Sequence, residues 1–285
     1  MRGTKENVVP LSLGSLPANA AASPMFNAFV TREEQCISDT FPVWEKQYDK
    51  AAIGFVLSGH FDYSAQGGSV TGVPGTVLFG NLGEHFSVQH LDRLGNRRIV
   101  VWYEPAYMEE IAAAWNLDEP RFHVMTLPPG RPSLNLFLQM SALTSGRLDS
   151  EDAASALAAM ALRINREPRI TQAISNRDRQ RILQAVGYIE RYFDQPCSVA
   201  ELAGICGLGR YRFMRLFKAV TGQSANQYVI NTRLRAAAER ITETNTPVSA
   251  IAFDVGFNDI SHFNTCFRTT FELTPRQMRK SARLA

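Results

Sequence analysis

The last hundred residues of this chain contain one pattern written twice. The stretch Val199-Ala-Glu-Leu-Ala203-Gly-Ile-Cys-Gly207-Leu208 is echoed 49 positions later by Val248-Ser-Ala-Ile-Ala252-Phe-Asp-Val-Gly256-Phe257. After one inserted residue the echo resumes at an offset of 50: Phe213 answers Phe263, Phe217 answers Phe267, Lys218 answers Arg268, and Ala225 answers Pro275. A repeat of this period makes each copy one supersecondary unit. An alanine, a glycine four residues on, and then a basic amphipathic helix together spell helix-turn-helix. Two such units on one chain restrict the C-terminal part to an all-helical domain and point to DNA.

Charge follows the same division. Residues 177–285 carry 16 Lys/Arg against 9 Asp/Glu, whereas residues 1–176 carry 14 against 18. A basic end beside an acidic one fits a polyanion partner for the basic part, although a solvated basic surface would look the same. With 285 residues the chain is long enough for two cores. The four cysteines (Cys36, Cys197, Cys206, Cys266) show neither a CxxC pair nor histidines at zinc-ligand spacing, which fits a reducing cytoplasm. No run reaches the roughly 18–20 apolar residues of a membrane span, so no membrane partner is expected.

Each repeat divides into scaffold and exposed face. In the first, Ser198–Cys206 reads as the supporting helix with Leu202 and Ala203 inward, Gly207 as the turn, and Gly209–Val220 as the recognition helix. Phe213, Leu216 and Phe217 form its core stripe. The N-terminal part of such a helix enters the major groove, so Tyr211, Met214 and Arg215 are expected at base edges, with Arg215 suited to bidentate pairing with guanine. Arg210, Arg212 and Lys218 are expected on phosphates. Ser224–Thr244 reads as a connecting helix. In the second unit, Pro247–Val255 supports and Asp259–Phe271 reads, with Ile260, Ser261, Asn264, Thr265 and Arg268 facing solvent or DNA. His262 is expected to be partly buried or to contact phosphate.

At these residues the chain resembles the AraC/XylS family of bacterial transcription regulators. The strings that carry the resemblance are ELAGICGLGRYRFMRLFKAVTGQSANQYV, RLRAAAERI and VSAIAFDVGFNDISHFNTCFRTTFELTPRQMR, within roughly residues 180–283. The resemblance implies two helix-turn-helix units joined by one long helix, with double-stranded DNA and RNA polymerase as partners and activation rather than repression as the outcome. The chain departs from the family pattern at four positions. Gly209 replaces a serine N-cap, Ala225 a proline, Glu272 a glycine, and Thr265 a basic residue. The first unit is therefore expected to dominate base reading.

The N-terminal half reads as β followed by helices, giving an α+β chain overall. Residues 1–24 are expected to be a flexible leader, 25–166 a sensor or dimerisation domain, 167–177 a linker and 178–285 the double helix-turn-helix domain. Short apolar runs (Phe26–Val30, Ile53–Leu57, Val77–Phe79, Ile99–Tyr103) separated by glycine turns such as Gln66–Ser69 favour a small barrel or sandwich. The segments GFVLSGHFDY and PGTVLFGNLGEHFSVQH resemble the cupin-like barrel of such regulators. Helices are expected at Pro105–Asn116, Pro132–Ser145 and Ser150–Arg166, the last either packing on the barrel or offering a dimer face. His85 and His90 lack the His-x-His pairing of a metal-binding cupin, so no metal or other cofactor is expected. The aromatics Phe55, Phe61, Tyr63, Phe79, Phe86, Trp102 and Tyr103 could line an effector cavity or form an ordinary core.

The leading expectation is a DNA-binding regulator, not an enzyme, controlled by a small-molecule effector in the N-terminal domain. Two alternatives stand beside it: a constitutive regulator whose barrel only mediates homodimer formation, and a barrel enzyme with an accessory C-terminal half.

Overall fold

The computed structural model describes residues 21–30, 43–65, 68–91, 95–146, 150–164 and 174–284. The expected leader up to residue 20, Cys36 and most of the expected linker lie outside these residues. In chain order the strands are β1 (Ala21–Ala22), β2 (Phe26–Val30), β3 (Val43–Gln47), β4 (Ala51–Ser58), β5 (Phe61–Ala65), β6 (Gly68–Gly72), β7 (Val77–Gly80), β8 (His85–His90), β9 (Arg97–Tyr103) and β10 (Thr126–Leu127). Three helices belong to this half: α1 (Pro105–Ala114), α2 (Arg131–Thr144) and α3 (Ser150–Leu162). Seven more follow: α4 (Asn176–Tyr192), α5 (Val199–Ile205), α6 (Arg210–Thr221), α7 (Ala225–Glu243), α8 (Val248–Asp254), α9 (Ile260–Phe271) and α10 (Pro275–Leu284). None of these helices is long and apolar enough to cross a membrane.

The strands form two antiparallel sheets, ordered β1-β2-β9-β4-β7-β10 and β3-β8-β5-β6. No ladder joins the two sheets among the described residues, so they stack as layers rather than closing into the single barrel expected from the sequence. Part of Gln66–Ser69, expected as a turn, is strand: Ser69 pairs with Ser64 and Gly68 with Ala65. Alternation along each strand sends successive side chains to opposite faces. Phe26, Ile53, Phe55, Phe79, Val101 and Tyr103 therefore face the helices, where Phe55 meets Phe137 of α2 at a ring distance of 4.7 Å. Val56 and Leu78, from the opposite face of the first sheet, pack with Phe61, Tyr63 and Ala65 of the second. The alanine-rich α3 buries Ala154, Leu157, Ala158 and Ala161 in its own domain's core, which accounts for its composition without a dimer face.

The helical half is organised by the repeat. Ser198 caps α5, accepting from the Glu201 amide at 3.1 Å while the Glu201 carboxylate accepts from the Ser198 amide at 2.8 Å. This reciprocal box satisfies two amides that the helix itself cannot. Ala203 and Ala252 are both buried beneath the second helix of their units, α6 and α9, where a larger side chain would force the helices apart. The inserted residue falls in the second turn, so α6 begins at Arg210 after Gly209 and α9 begins at Ile260 after Asp259, 50 positions later. Gly207 and Gly256 take left-handed backbone, with φ of 58° and 91°. At Gly256 a Cβ would also lie 2.6 Å from the Asp194 carbonyl oxygen, so both conformation and space demand glycine there.

The two halves are joined by buried apolar contacts, one into each unit. Val73, in the β6–β7 turn, is fully buried in the core built by α4, α5, α6 and α7. Leu134 of α2 is buried in the other core, with Leu234 and Ile241 of α7 and Phe263 and Phe267 of α9. Polar links reinforce them. Arg179 of α4 meets Asp62 of β5 at 2.5 Å, and the Tyr228 hydroxyl lies 3.0 Å from both the Pro74 carbonyl and Glu190 Oε1. Glu190 also accepts from Thr232 at 3.1 Å and from Arg235 at 2.5 Å, the latter a largely buried pair.

Candidate nucleic-acid interface

The outer face of α6 is built by elimination. Phe213, Leu216 and Phe217 turn inward, and Phe217 meets Tyr228 of α7 edge-on at 5.7 Å. Helical periodicity then leaves Arg210, Tyr211, Met214, Arg215 and Lys218 exposed, and Tyr211 is 84% exposed despite its aromatic ring. Tyr211 and Met214 stand one helical turn apart among the arginines of this face. Arg212 behaves differently from its neighbours. Its guanidinium donates to both oxygens of Asp178 on α4, at 3.1 and 3.0 Å. Those bonds hold the Asp178 carboxyl below its usual value. Arg212 thus braces α6 against α4, which sequence spacing did not reveal because Asp178 is 34 residues away.

The corresponding face of α9 is less basic. Phe263 and Phe267 are fully buried, leaving Ser261, Asn264, Thr265 and Arg268 exposed and Ile260 half-buried. Thr265 spends its hydroxyl proton on the Ser261 carbonyl, 2.9 Å away, and so offers only an acceptor outward. Asp259 caps the helix, accepting from the amides of Ser261 and His262 at 2.9 and 3.1 Å. The first unit has no such acid, since Gly209 provides no side-chain cap. His262 is exposed, which leaves phosphate contact of the two expectations for it; its ring meets Phe257 at 5.6 Å and its Nε2 lies 3.3 Å from Cys266 Sγ.

Glu272 closes α9 with φ of 61°, in the left-handed region. For a residue with a side chain this conformation costs about 1–2 kcal/mol. The same glutamate forms an ion pair with Arg131 of α2, tying the end of α9 to the N-terminal half.

One cationic surface escaped the sequence reading. A cleft of about 1120 Å³ opens between α9, α10 and the start of α8, lined by Asn264, Thr265 and Arg268 together with Arg276, Arg279, Lys280 and Arg283. The signal was present, as basic residues at positions 276, 279, 280 and 283 mark one face of a helix.

In the N-terminal half the seven aromatics do not converge. Phe55, Phe79 and Tyr103 belong to the helix-facing core, whereas Phe61 and Tyr63 lie between the sheets. There Phe86 stacks on Tyr48 at 4.2 Å, Trp102 lies 6.0 Å from Tyr48, and the Tyr48 and Tyr63 hydroxyls pair at 3.0 Å. Burial raises both phenols above their usual value, so they remain neutral. Asn27 and Trp102 are cross-strand partners, and Asn27 Oδ1 and Trp102 Nε1 are both buried without a hydrogen-bond partner. His85 is exposed and His90 is buried beside Asn96, at 3.5 Å. The described residues contain no cluster of three metal-ligating side chains.

Comparison with known proteins bears on the helical half. A family model for a helix-turn-helix domain matches residues 202–281. The HTH-type transcriptional activator RhaS of Mannheimia succiniciproducens is 33% identical over 96 residues, covering 34% of this chain and 36% of that protein. The regulatory protein SoxS of Escherichia coli K12 is 32% identical over 101 residues, which cover 35% of this chain and 94% of SoxS. The chain therefore spans about a third of the length of RhaS but nearly all of SoxS. A crystal structure of a transcriptional regulator from Chromobacterium violaceum is 28% identical, covering 36% of this chain and 92% of that one with a TM-score of 0.35.

Proposed function

The chain belongs to the AraC/XylS family of DNA-binding transcription regulators, and from that premise we propose that it reads double-stranded DNA chiefly through α6. The observation that carries this is the exposed set Arg210, Tyr211, Met214 and Arg215 on a helix whose other face is locked by Phe213 and Phe217. Tyr211, Met214 and Arg215 contact base edges, Arg210 and Lys218 contact phosphate, and Arg212 holds the helix in place through Asp178. On α9, Ile260, Ser261, Asn264, Thr265 and Arg268 add contacts with less sequence information. An Arg215→Ala chain should lose about 1–3 kcal/mol of specific affinity and relax its preference at one base position. Selection of bound duplexes from a random pool measures both, and unchanged affinity with unchanged preference would refute the assignment.

Residues 25–166 act as the sensor in this reading, joined by the linker over 167–177 to the reading domain over 178–285. A small-molecule effector seats between the two sheets, which the unpartnered Asn27 Oδ1 and Trp102 Nε1 support, because buried polar atoms are rarely left unpaired. Its binding shifts the population of arrangements through Val73 and Leu134, one contact for each unit. The outcome is activation, in keeping with RhaS, and it implies contact with RNA polymerase and assembly as a homodimer.

A further inference from the structure

The cleft beside the second recognition helix has a composition that α9 alone does not explain. Its lining includes five cations (Arg268, Arg276, Arg279, Lys280, Arg283) and no acidic residue. Two of the five are spent inside the protein. Arg279 donates to the Thr246 and Ile241 carbonyls at 2.7 and 3.3 Å, and Arg283 donates to Asn245. These bonds fasten α10 to the end of α7 and the segment that follows it, so the helix is a fixed wall rather than a loose tail. Arg268, Arg276 and Lys280 are exposed and form no ion pair among the described residues. Positions 276 and 280 are one helical turn apart, about 6 Å along the axis, on one face of α10. Like charges at that spacing repel weakly, and a phosphate bound beside both would offset the repulsion. The lining also includes Asn264 and Thr265, so the cationic wall continues the reading face of α9. A cleft of about 1120 Å³ exceeds what a single small anion would fill.

We propose that Arg276 and Lys280 clamp the phosphate backbone of the duplex that α9 faces. The second unit then holds the DNA chiefly by charge, while the first reads its sequence. This rests on the DNA-binding reading above and adds a division of labour to it. It also accounts for how α9 can present an uncharged Thr265 and an acidic cap at Asp259 and still engage a polyanion.

The test uses the full chain and a duplex that the wild-type chain itself selects from a random pool. Binding is titrated from 50 to 300 mM salt for wild type and for the double variant Arg276→Gln/Lys280→Gln. Both side chains are exposed, and a thermal melt confirms that the variant folds. Loss of two phosphate contacts should flatten the slope of log K against log salt by about 1.8 and weaken binding roughly 60-fold at 0.1 M salt. The base preference obtained by repeating the selection with the variant should match that of wild type. An unchanged slope overturns the clamp, and so does an altered base preference, which would make these residues readers. A wild-type chain that selects no duplex overturns the DNA-binding reading, and the clamp with it.

Discussion

Leu134 tests whether the N-terminal half is mechanically continuous with the second reading unit. It lies on α2, a helix with two allegiances: Leu136, Phe137, Met140 and Leu143 belong to the N-terminal core, but Leu134 belongs to the core of α7 and α9. Leu134 is 2% exposed and Leu136 is fully buried, so the two make a matched pair on one helix. Leu134→Ala removes three buried carbons, worth about 2.4 kcal/mol at roughly 0.8 kcal/mol each. Incomplete collapse around the vacated space adds to this, and the expected total is about 3 kcal/mol within the 2–5 kcal/mol seen for such truncations. Urea denaturation should therefore show similar total costs for Leu134→Ala and Leu136→Ala. Amide hydrogen exchange should separate them, because protection is lost where local stability falls. Leu134→Ala should release amides of α9 while β4 and β9 remain protected; Leu136→Ala should do the reverse. A cost below 1 kcal/mol, or one exchange pattern shared by both variants, would refute the view that Leu134 couples the halves.

Two further outcomes follow from the charged groups beside that boundary. Glu190→Gln removes the carboxylate that pairs directly with the buried Arg235 guanidinium, which should cost about 3 kcal/mol, somewhat less for the part solvent reaches and for the remaining pull of Glu239, measured by urea unfolding. Adding Arg235→Met to that variant should restore most of the loss; no recovery would mean the cost comes from the Tyr228 and Thr232 hydrogen bonds instead. Burial pushes the Glu239 carboxyl above its usual 4.5, against the opposing pull of Arg235. The folded chain therefore holds that proton more tightly than the unfolded chain. The stabilisation is full below pH 4.5 and disappears as pH rises through the folded value. Glu239→Gln should accordingly raise the urea midpoint at pH 7, with the advantage shrinking towards pH 4. A difference that is constant across that range would exclude titration of Glu239 as its cause.

The reading units were legible because their requirements are local. Alanine where two helices touch, glycine where φ is positive, and phenylalanines one turn apart are each demanded by the unit's own geometry, so the repeat located every element from α5 to α9 within a residue or two. The Asp178–Arg212 brace was not legible, because residues 34 apart in sequence meet only once α4 and α6 have packed. The same holds for Arg131 and Glu272, 141 residues apart, although the glutamate in a glycine position was already visible as a departure. In the N-terminal half, periodicity located β2, β4, β7 and β9 but passed over β3, whose five residues are all exposed and so carry no alternating pattern. It also could not divide the aromatics. Phe55 and Trp102 look alike as aromatic residues in strands, yet the pleat sends them to opposite faces of one sheet.

The sequence by itself determined that this chain carries two helix-turn-helix units, which copy shows the more basic reading face, and that the acidic N-terminal half is a β domain with helices. Each of those properties is written in the spacing of a few neighbouring residues. Tertiary structure alone decided which cations remain free for a partner. Arg212, Arg279 and Arg283 are spent on Asp178, backbone carbonyls and Asn245, whereas Arg215, Arg276 and Lys280 form no ion pair among the described residues. It also decided that Val73 and Leu134 pack the N-terminal half onto both units. Whether a charge is available, and whether a side chain crosses a domain boundary, depends on which distant segment packs against it, and local spacing carries no record of that.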